Sequence, residues 1–344
     1  MNVYHDCGEM GSSRRGGRVV AVGFFDGVHL GHQRLLQLAA EAARAGDGVL
    51  RRDPLPAGAL TFWPHPMSLL RPAEAPPLLM TLEEKKRAIS HQGLDFLVIQ
   101  PFTPDFARLS PRSFLEDVLV NAMAAETIVV GFNFSFGTGG SGNANWLAGE
   151  ARRHGRRAVV VPPVAIDDEV VSSSNIREHI RAGRVERAAA LLGRPFSVRG
   201  VVQRGDGRGQ TIGFPTANVT FPESIVAPAA GVYAVDCTLV PPGRGAVAAP
   251  DGAGSRTVVA SGVANVGRRP TFYEDPARAP HLLEVHLLNF SGDVYGWDME
   301  VGFRRFLRPE RAFPSVEALV RQIKSDVVAA AEWFSQPHDG PQWC

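Results

Sequence analysis

The chain has 344 residues, more than one hydrophobic core usually serves, so two domains are expected. Hydrophobic residues make up 44% and charged residues 21%, with a formal net charge of +1; this is an ordinary globular composition and excludes a strongly basic nucleic-acid surface. No stretch reaches the roughly 20 apolar residues that cross a bilayer. Met1 to Gly17 lacks the apolar core of a secretory signal, so a cytoplasmic location is expected. Cys7, Cys237 and Cys344 are spaced neither as metal ligands nor as a disulfide framework.

Residues 18 to about 193 alternate between strand and helix patterns. Arg18 to Phe25 is an apolar run ended by Asp26-Gly27, and Gly31 to Ala45 repeats Leu35, Leu36, Leu38, Ala39 and Ala42 at helical spacing. Ala59 to Phe62 is a second strand, closed by Pro64 and Pro66. Thr81-Leu-Glu-Glu84 is a capping box that opens a helix ending near Gly93. Asp95 to Gln100 is a third strand, and Ser110-Pro111 supplies an N-cap and first-turn proline for the next helix. Thr127 to Gly131 and Ala158 to Val161 read as further buried strands. Such alternation implies a doubly wound parallel sheet with its ligands at the carboxyl ends of the strands. The pattern changes near Leu192-Gly-Arg-Pro195. Strand-like runs follow at Phe196–Val202, Val232–Val240, Arg256–Val266, Leu282–Asn289 and Met299–Phe306, an antiparallel β-barrel signature. Pro241 to Ser255 is a low-complexity hairpin insert. Ser315 to about Phe334 forms a last helix. The expected domains are therefore residues 1–193 and 194–344.

Lysine occurs only at Lys85, Lys86 and Lys324, and none follows a glycine-rich loop, so the common lysine-bearing phosphate loop is absent. Any ATP phosphates must be held by backbone N–H groups, arginine, histidine and metal. Asp26-Gly-Val-His29-Leu-Gly31-His32 sits where a first strand hands over to a first helix. Its glycines allow close approach to a phosphate, and its two histidines can point the same way. In isolation, two surface or structural histidines explain H-x-x-H equally well; the strand–helix position favours function. Thr61-Phe62-Trp63-Pro-His65-Pro66 ends the second strand, with His65 held rigidly between prolines. Gly131-Phe-Asn133-Phe-Ser135-Phe-Gly137 follows a later strand; its phenylalanines suit a core, while Asn133 and Ser135 are short polar groups at a sheet mouth. Val171-Ser-Ser-Ser174-Asn-Ile-Arg177 opens a helix, where serine capping or a triphosphate clamp explains the hydroxyls.

In the second half, Gly205-Asp-Gly207-Arg208-Gly209-Gln-Thr-Ile-Gly213-Phe-Pro-Thr216-Ala-Asn218 follows the first barrel strand. Four glycines in nine residues give a loop able to wrap phosphates, and Thr216 and Asn218 are hard oxygen ligands suited to Mg²⁺.

The four N-terminal segments together resemble the nucleotidylyltransferase family, and F-x-P-H-P narrows the resemblance to bacterial FAD synthetases. The glycine-rich string ending in P-T-A-N closely resembles the riboflavin kinase signature. Gly262 to Phe272, Glu284 to Phe290, Asp293 to Gly296, Leu307 to Glu310 and Phe313 continue the match, which covers about residues 18 to 335. The resemblance implies a Rossmann-like nucleotidylyltransferase domain followed by a riboflavin kinase barrel. It implies that riboflavin and ATP give FMN, and that FMN and ATP give FAD and pyrophosphate, with Mg²⁺ as cofactor. It places His29, His32 and Arg177 at the adenylyl transfer, with Gly23, Asp26, Gly31, His65, Asn133, Ser135, Ser173 and Ser174 around the nucleotide. Gly205, Gly207, Arg208, Gly209 and Gly213 would hold the kinase phosphates, Thr216 and Asn218 the metal. Glu284 would be the general base for the ribityl hydroxyl. Flavin contacts fall at Phe62, Asn265, Arg308 and Glu310. The implied partners are small molecules only, with no nucleic acid or membrane, in a monomer or weak homo-oligomer.

Phe24 stands where the family has a modest residue, Trp63 where it commonly has Asp, and Asn289 where it has Asp; a basic residue usual near Thr138 is missing. These departures leave open a kinase whose first domain is inactive or takes another nucleotide or flavin analogue. A non-catalytic flavin sensor is a third reading, opposed by retention of His29, His32, Thr216, Asn218 and Glu284.

Overall fold

A computed structural model describes residues 1–11, 17–45, 54–205, 207–242, 257–268 and 281–336. By contacts the chain divides into two compact units, Met1–Pro76 with Thr81–Ser172, and Pro77–Met80 with Ser173–Cys344. The Pro241–Ser255 insert from residue 243 onward, Pro270 to Phe272, Asp206, the Arg208 side chain and Cys344 lie outside the described residues.

In the first unit, β1 (Asn2–Tyr4), β2 (Arg18–Val22), β3 (Ala57–Trp63), β4 (Phe96–Pro101), β5 (Ala125–Gly131) and β6 (Arg157–Val161) form one parallel sheet in the order β1-β4-β3-β2-β5-β6. β2 is buried at all five positions, as a central strand covered on both faces must be. From β2 the chain winds out through β3 to β4, then returns to the other side of β2 as β5 and β6. The direction of winding therefore reverses between β2 and β5, and the crevice at such a reversal is where these sheets bind ligands. The turn after β2 carries the two-histidine motif, and the loop after β5 carries Asn133 and Ser135.

Helix α1 (Leu30–Ala45) packs Leu35, Leu36, Ala39, Ala40 and Ala43 inward. Helix α2 (Leu82–Ser90) begins at the expected capping box, with Thr81 and Glu84 exchanging both bonds. Ser110 accepts from the Ser113 amide as expected, but the chain then runs on as a π-helix over Phe114–Ala122. Helix α3 spans Ala144–Arg153. Two local expectations change. The first strand stops at Val22 rather than Phe25, because Phe25 takes a left-handed φ of 54°. The N-terminal segment supplies β1, too short to read from pattern, and Cys7 beside it donates its amide to Gln100 Oε1 at 3.0 Å.

In the second unit, α4 (Ser173–Arg181) and α5 (Val185–Leu192) precede a closed antiparallel barrel. Its strands are β7 (Phe196–Gln203), β8 (Ala217–Thr220), β9 (Gly231–Val240), β10 (Val258–Arg268), β11 (His281–Leu287) and β12 (Asp298–Pro309). They run in the order β7-β8-β11-β10-β9-β12, closing from β12 onto β7. β8 was not anticipated; it is the four-residue continuation of the glycine-rich loop. Tyr233, Phe196 and Phe303 fill the core, and the Tyr233 hydroxyl donates to Ala229 O at 2.6 Å. Helix α6 (Val316–Ser335) is capped by Ser315. Among the described residues no helix is long and apolar enough to cross a membrane.

Candidate active sites

The first site is built on the β2–α1 turn. Asp26–Val28 makes a single 3-10 turn between β2 and α1, and Val28, a β-branched residue, sits at φ 39°. Such backbone persists only where its surroundings impose it. His29 is 6% exposed, and its Nδ1 accepts the His32 amide at 3.3 Å, which leaves its proton on Nε2. The two imidazoles stack with centroids 3.6 Å apart. A Cβ at Gly31 would lie 3.2 Å from the His29 ring and press on it, so a larger residue there would have to shift the histidine. His32 Nδ1 is buried with no hydrogen-bond partner among the described residues. Burial pushes the His32 pKa well below its ordinary value, and the neighbouring His29 and Lys85 add to that shift. His32 is thus held neutral, and both rings can donate N–H bonds to a phosphate.

Sequence reasoning missed Lys85. It is 1% exposed on α2, and its Nζ donates to Phe24 O at 2.7 Å. The ammonium also lies 3.9 Å above the Phe24 ring and 5.7 Å from the Trp63 ring, cation–π distances. Burial lowers its pKa to about 8, while the buried Asp26 carboxylate opposes the fall. One signal was available: Lys85 lies four residues before Ile89, on the buried face of its helix.

A cavity of about 740 Å³ opens beside this turn, lined by Gly23, His32, Phe62, Asn133 and Ser135 among the expected residues. Phe24, Phe25, Phe102, Phe106, Phe114, Phe134 and Phe136 give the rest of its wall a strongly aromatic character. The size and aromatic lining suit a planar heterocycle. Of the phenylalanines expected in the core, Phe136 is buried, Phe134 is half-buried and Phe132 is exposed. His65 stands outside the lining: its Nδ1 accepts the Met67 amide at 3.0 Å and so caps the short helix Pro66–Leu70, with its ring edge-on to Phe24 at 4.1 Å. Asp26 is buried in the turn. Ser173, Ser174 and Arg177 stand on α4, where Arg177 Nε donates to Pro77 O at 2.7 Å within the second unit.

The second site is set by barrel register. Glu284 on β11 lies directly opposite Asn218 on β8 and opposite Asn265 on β10. Residues paired across strands share a face, so three polar side chains from distant parts of the chain form one row. Leu283, Val285 and Leu287 point the other way, into the core. A cavity of about 400 Å³ holds this row, together with Gly207, Gly209, Thr216, Arg308 and Glu310 from the expected set. His286, Phe313, Leu319 and Ile323 were not anticipated there. Gly205 lies under Asn218, where a Cβ would collide with the Asn218 amide, and Gly213 turns at φ 85°. Asn218 Oδ1 is buried with no hydrogen-bond partner among the described residues, an orphaned acceptor that fits a cation. Asn265 Nδ2 donates to Glu310 Oε1 at 3.4 Å. Arg308 is largely committed: Nε and one terminal nitrogen donate to Asp326 at 2.8–3.1 Å, and the other donates to Pro309 O at 3.0 Å.

Residues 12–175 match the FAD synthetase family and residues 192–334 the riboflavin kinase family. A Bacillus subtilis bifunctional riboflavin kinase/FMN adenylyltransferase is 35% identical, over 92% of this chain and 92% of the relative. An Escherichia coli protein of the same description is 35% identical, over 92% and 93%. A solved Streptococcus pneumoniae structure, described as a macrolide-efflux protein, superposes with a TM-score of 0.78 at 30% identity, over 96% of this chain and 98% of its own. The parallel-sheet unit and the barrel thus define a nucleotidylyl- and phosphoryl-transferring flavin enzyme. The chain belongs to the bifunctional riboflavin kinase/FMN adenylyltransferase family. It phosphorylates riboflavin to FMN and adenylylates FMN to FAD.

Proposed function

We propose that residues 1–193 carry the adenylyl transfer and residues 194–344 the kinase reaction, each with its own site residues. The row Asn218–Glu284–Asn265 carries the kinase assignment, since a carboxylate flanked by two amides at a cavity wall suits a general base. Glu284 takes the proton of the ribityl 5′-hydroxyl as that oxygen attacks the γ-phosphorus of ATP, and ADP leaves. The Gly205–Gly213 loop holds the phosphates by backbone N–H groups, and Asn265, Glu310 and Arg308 border the flavin. Thr216 Oγ1 and Asn218 Oδ1 would hold Mg²⁺, which when bound neutralises charge on the transferring phosphoryl group.

In the first unit the His29–His32 pair donates N–H bonds to the α-phosphate as an FMN phosphate oxygen attacks it in line and pyrophosphate leaves. The phenylalanine-lined cavity takes the flavin ring, and Asn133 and Ser135 contact the nucleotide. The resemblance alone assigns Ser173, Ser174 and Arg177 to the ATP phosphates. A monomer or weak homo-oligomer in the cytoplasm suits this reading.

Separated activities test it. Glu284→Gln should lower FMN formation by about 10²–10⁴-fold and spare conversion of FMN to FAD, followed by chromatography. His32→Ala should do the reverse. Equal loss of both activities in either variant would refute two separate sites.

A further inference from the structure

We propose that Lys85 is a positioning residue for adenylyl transfer, fastening the β2–α1 turn through the Phe24 carbonyl and setting a fixed positive charge beside the His29–His32 pair. The inference rests on the assignment of adenylyl transfer to that turn.

Lysine is almost never fully buried unless paired, because desolvating an ammonium is costly. Lys85 is nonetheless 1% exposed. What offsets the cost all comes from one place. The Phe24 carbonyl accepts its proton at 2.7 Å, the Phe24 ring lies beneath it at 3.9 Å, and Asp26 supplies the opposing charge. The same carbonyl also accepts from Thr61 Oγ1 on β3 at 3.0 Å. It is therefore clamped from a strand on one side and a helix on the other. It stands immediately before Phe25 at φ 54° and four residues before Val28 at φ 39°, which with Gly27 at φ 81° are the left-handed residues that turn the chain toward His29.

The charge has a second effect. After burial, the Lys85 charge helps to keep His32 unprotonated. An uncharged side chain of the same length would fill the space but leave the carbonyl with one donor and His32 with a weaker bias toward neutrality. The Phe24 ring also meets His65 edge-on at 4.1 Å, so the clamped residue lies against that loop.

The test uses the full-length enzyme, whose kinase reaction serves as an internal control. In Lys85→Met, kcat for FAD formation from FMN should fall about tenfold to a hundredfold, the effect of losing a charge-assisted bond. KM for FMN should stay within about threefold of wild type, since the lost interaction acts in the transition state. Riboflavin phosphorylation should not change. Lys85→Arg, which keeps charge and donors, should recover most of the lost rate. Amide hydrogen exchange in β2 reports whether the sheet stays folded. A folded Lys85→Met enzyme with wild-type kcat overturns the proposal, as does Lys85→Arg performing no better than Lys85→Met. If Lys85→Met opens the sheet, Thr61→Val removes the other donor to the carbonyl at nearly constant volume. A loss of about threefold or more in kcat then supports the clamp, and an unchanged kcat overturns it. His32→Ala, measured in parallel, separates the two claims: if it too leaves FAD formation intact, the site assignment itself has failed.

Discussion

A histidine buried against a phenylalanine ring, a second histidine and a lysine gives up its proton more readily than one in water. His32 is in that position, and the consequence can be read in stability as well as rate. In the unfolded chain it titrates near 6.5, whereas in the folded chain its pKa lies well below that. Between those two values the unfolded state binds the proton and the folded state does not, so stability is complete above about pH 6.5 and falls as the pH drops. Replacing His32 by Leu removes this contribution. The fall in Tm between pH 7.5 and 5.5 should therefore be smaller in His32→Leu, by roughly 3 °C. Equal falls in the two proteins would place the histidine in an ordinary aqueous environment. The two histidines themselves were legible in the sequence, because a motif at a strand–helix junction announces itself. Lys85 was not: a lysine on an amphipathic helix reads as solvated unless the neighbours that neutralise it are known. His65 was legible from its place between two prolines, but the cap that its Nδ1 gives the next helix was not.

Among the elements, the barrel shows what pattern can and cannot supply. Each long strand was visible as an apolar run, yet β8 was hidden inside a glycine-rich string because only four residues of it are extended. Register is harder still. Asn218 and Glu284 face each other only because β8 pairs with β11, a match between segments 66 residues apart (284 − 218). The final helix was legible in the sequence, but its role at the cavity wall was not. That role depends on Asp326, buried on α6, which takes two bonds from Arg308 Nε and one from Nη2 on β12. Asp326→Ala leaves an unpaired, mostly buried guanidinium and should cost about 3 kcal/mol, measured by urea unfolding. The same variant should raise KM for riboflavin while leaving adenylylation of added FMN unchanged. A fully stable variant would mean that the helix is held by its apolar face alone.

At the scale of the whole molecule, the change from alternating strands and helices to consecutive strands announced two units, and each cavity is lined by residues of one unit only. Cavities built this way need not share a molecule to complete the two-step synthesis. A mixture makes the point: His32→Ala retains the kinase, Glu284→Gln retains the adenylyltransferase, and neither alone should take riboflavin to FAD. Combined at equal concentration with riboflavin, ATP and Mg²⁺, they should produce FAD after a lag while FMN accumulates in solution. The lag should shorten as the concentration of Glu284→Gln rises, because capture of free FMN is a second-order encounter. FMN that stays bound to His32→Ala with no FAD formed, although Glu284→Gln converts added FMN, would mean that the kinase does not release its product to solution. FAD appearing without a lag would instead require the two variants to associate and exchange FMN directly, which sedimentation of the mixture would reveal as an oligomer.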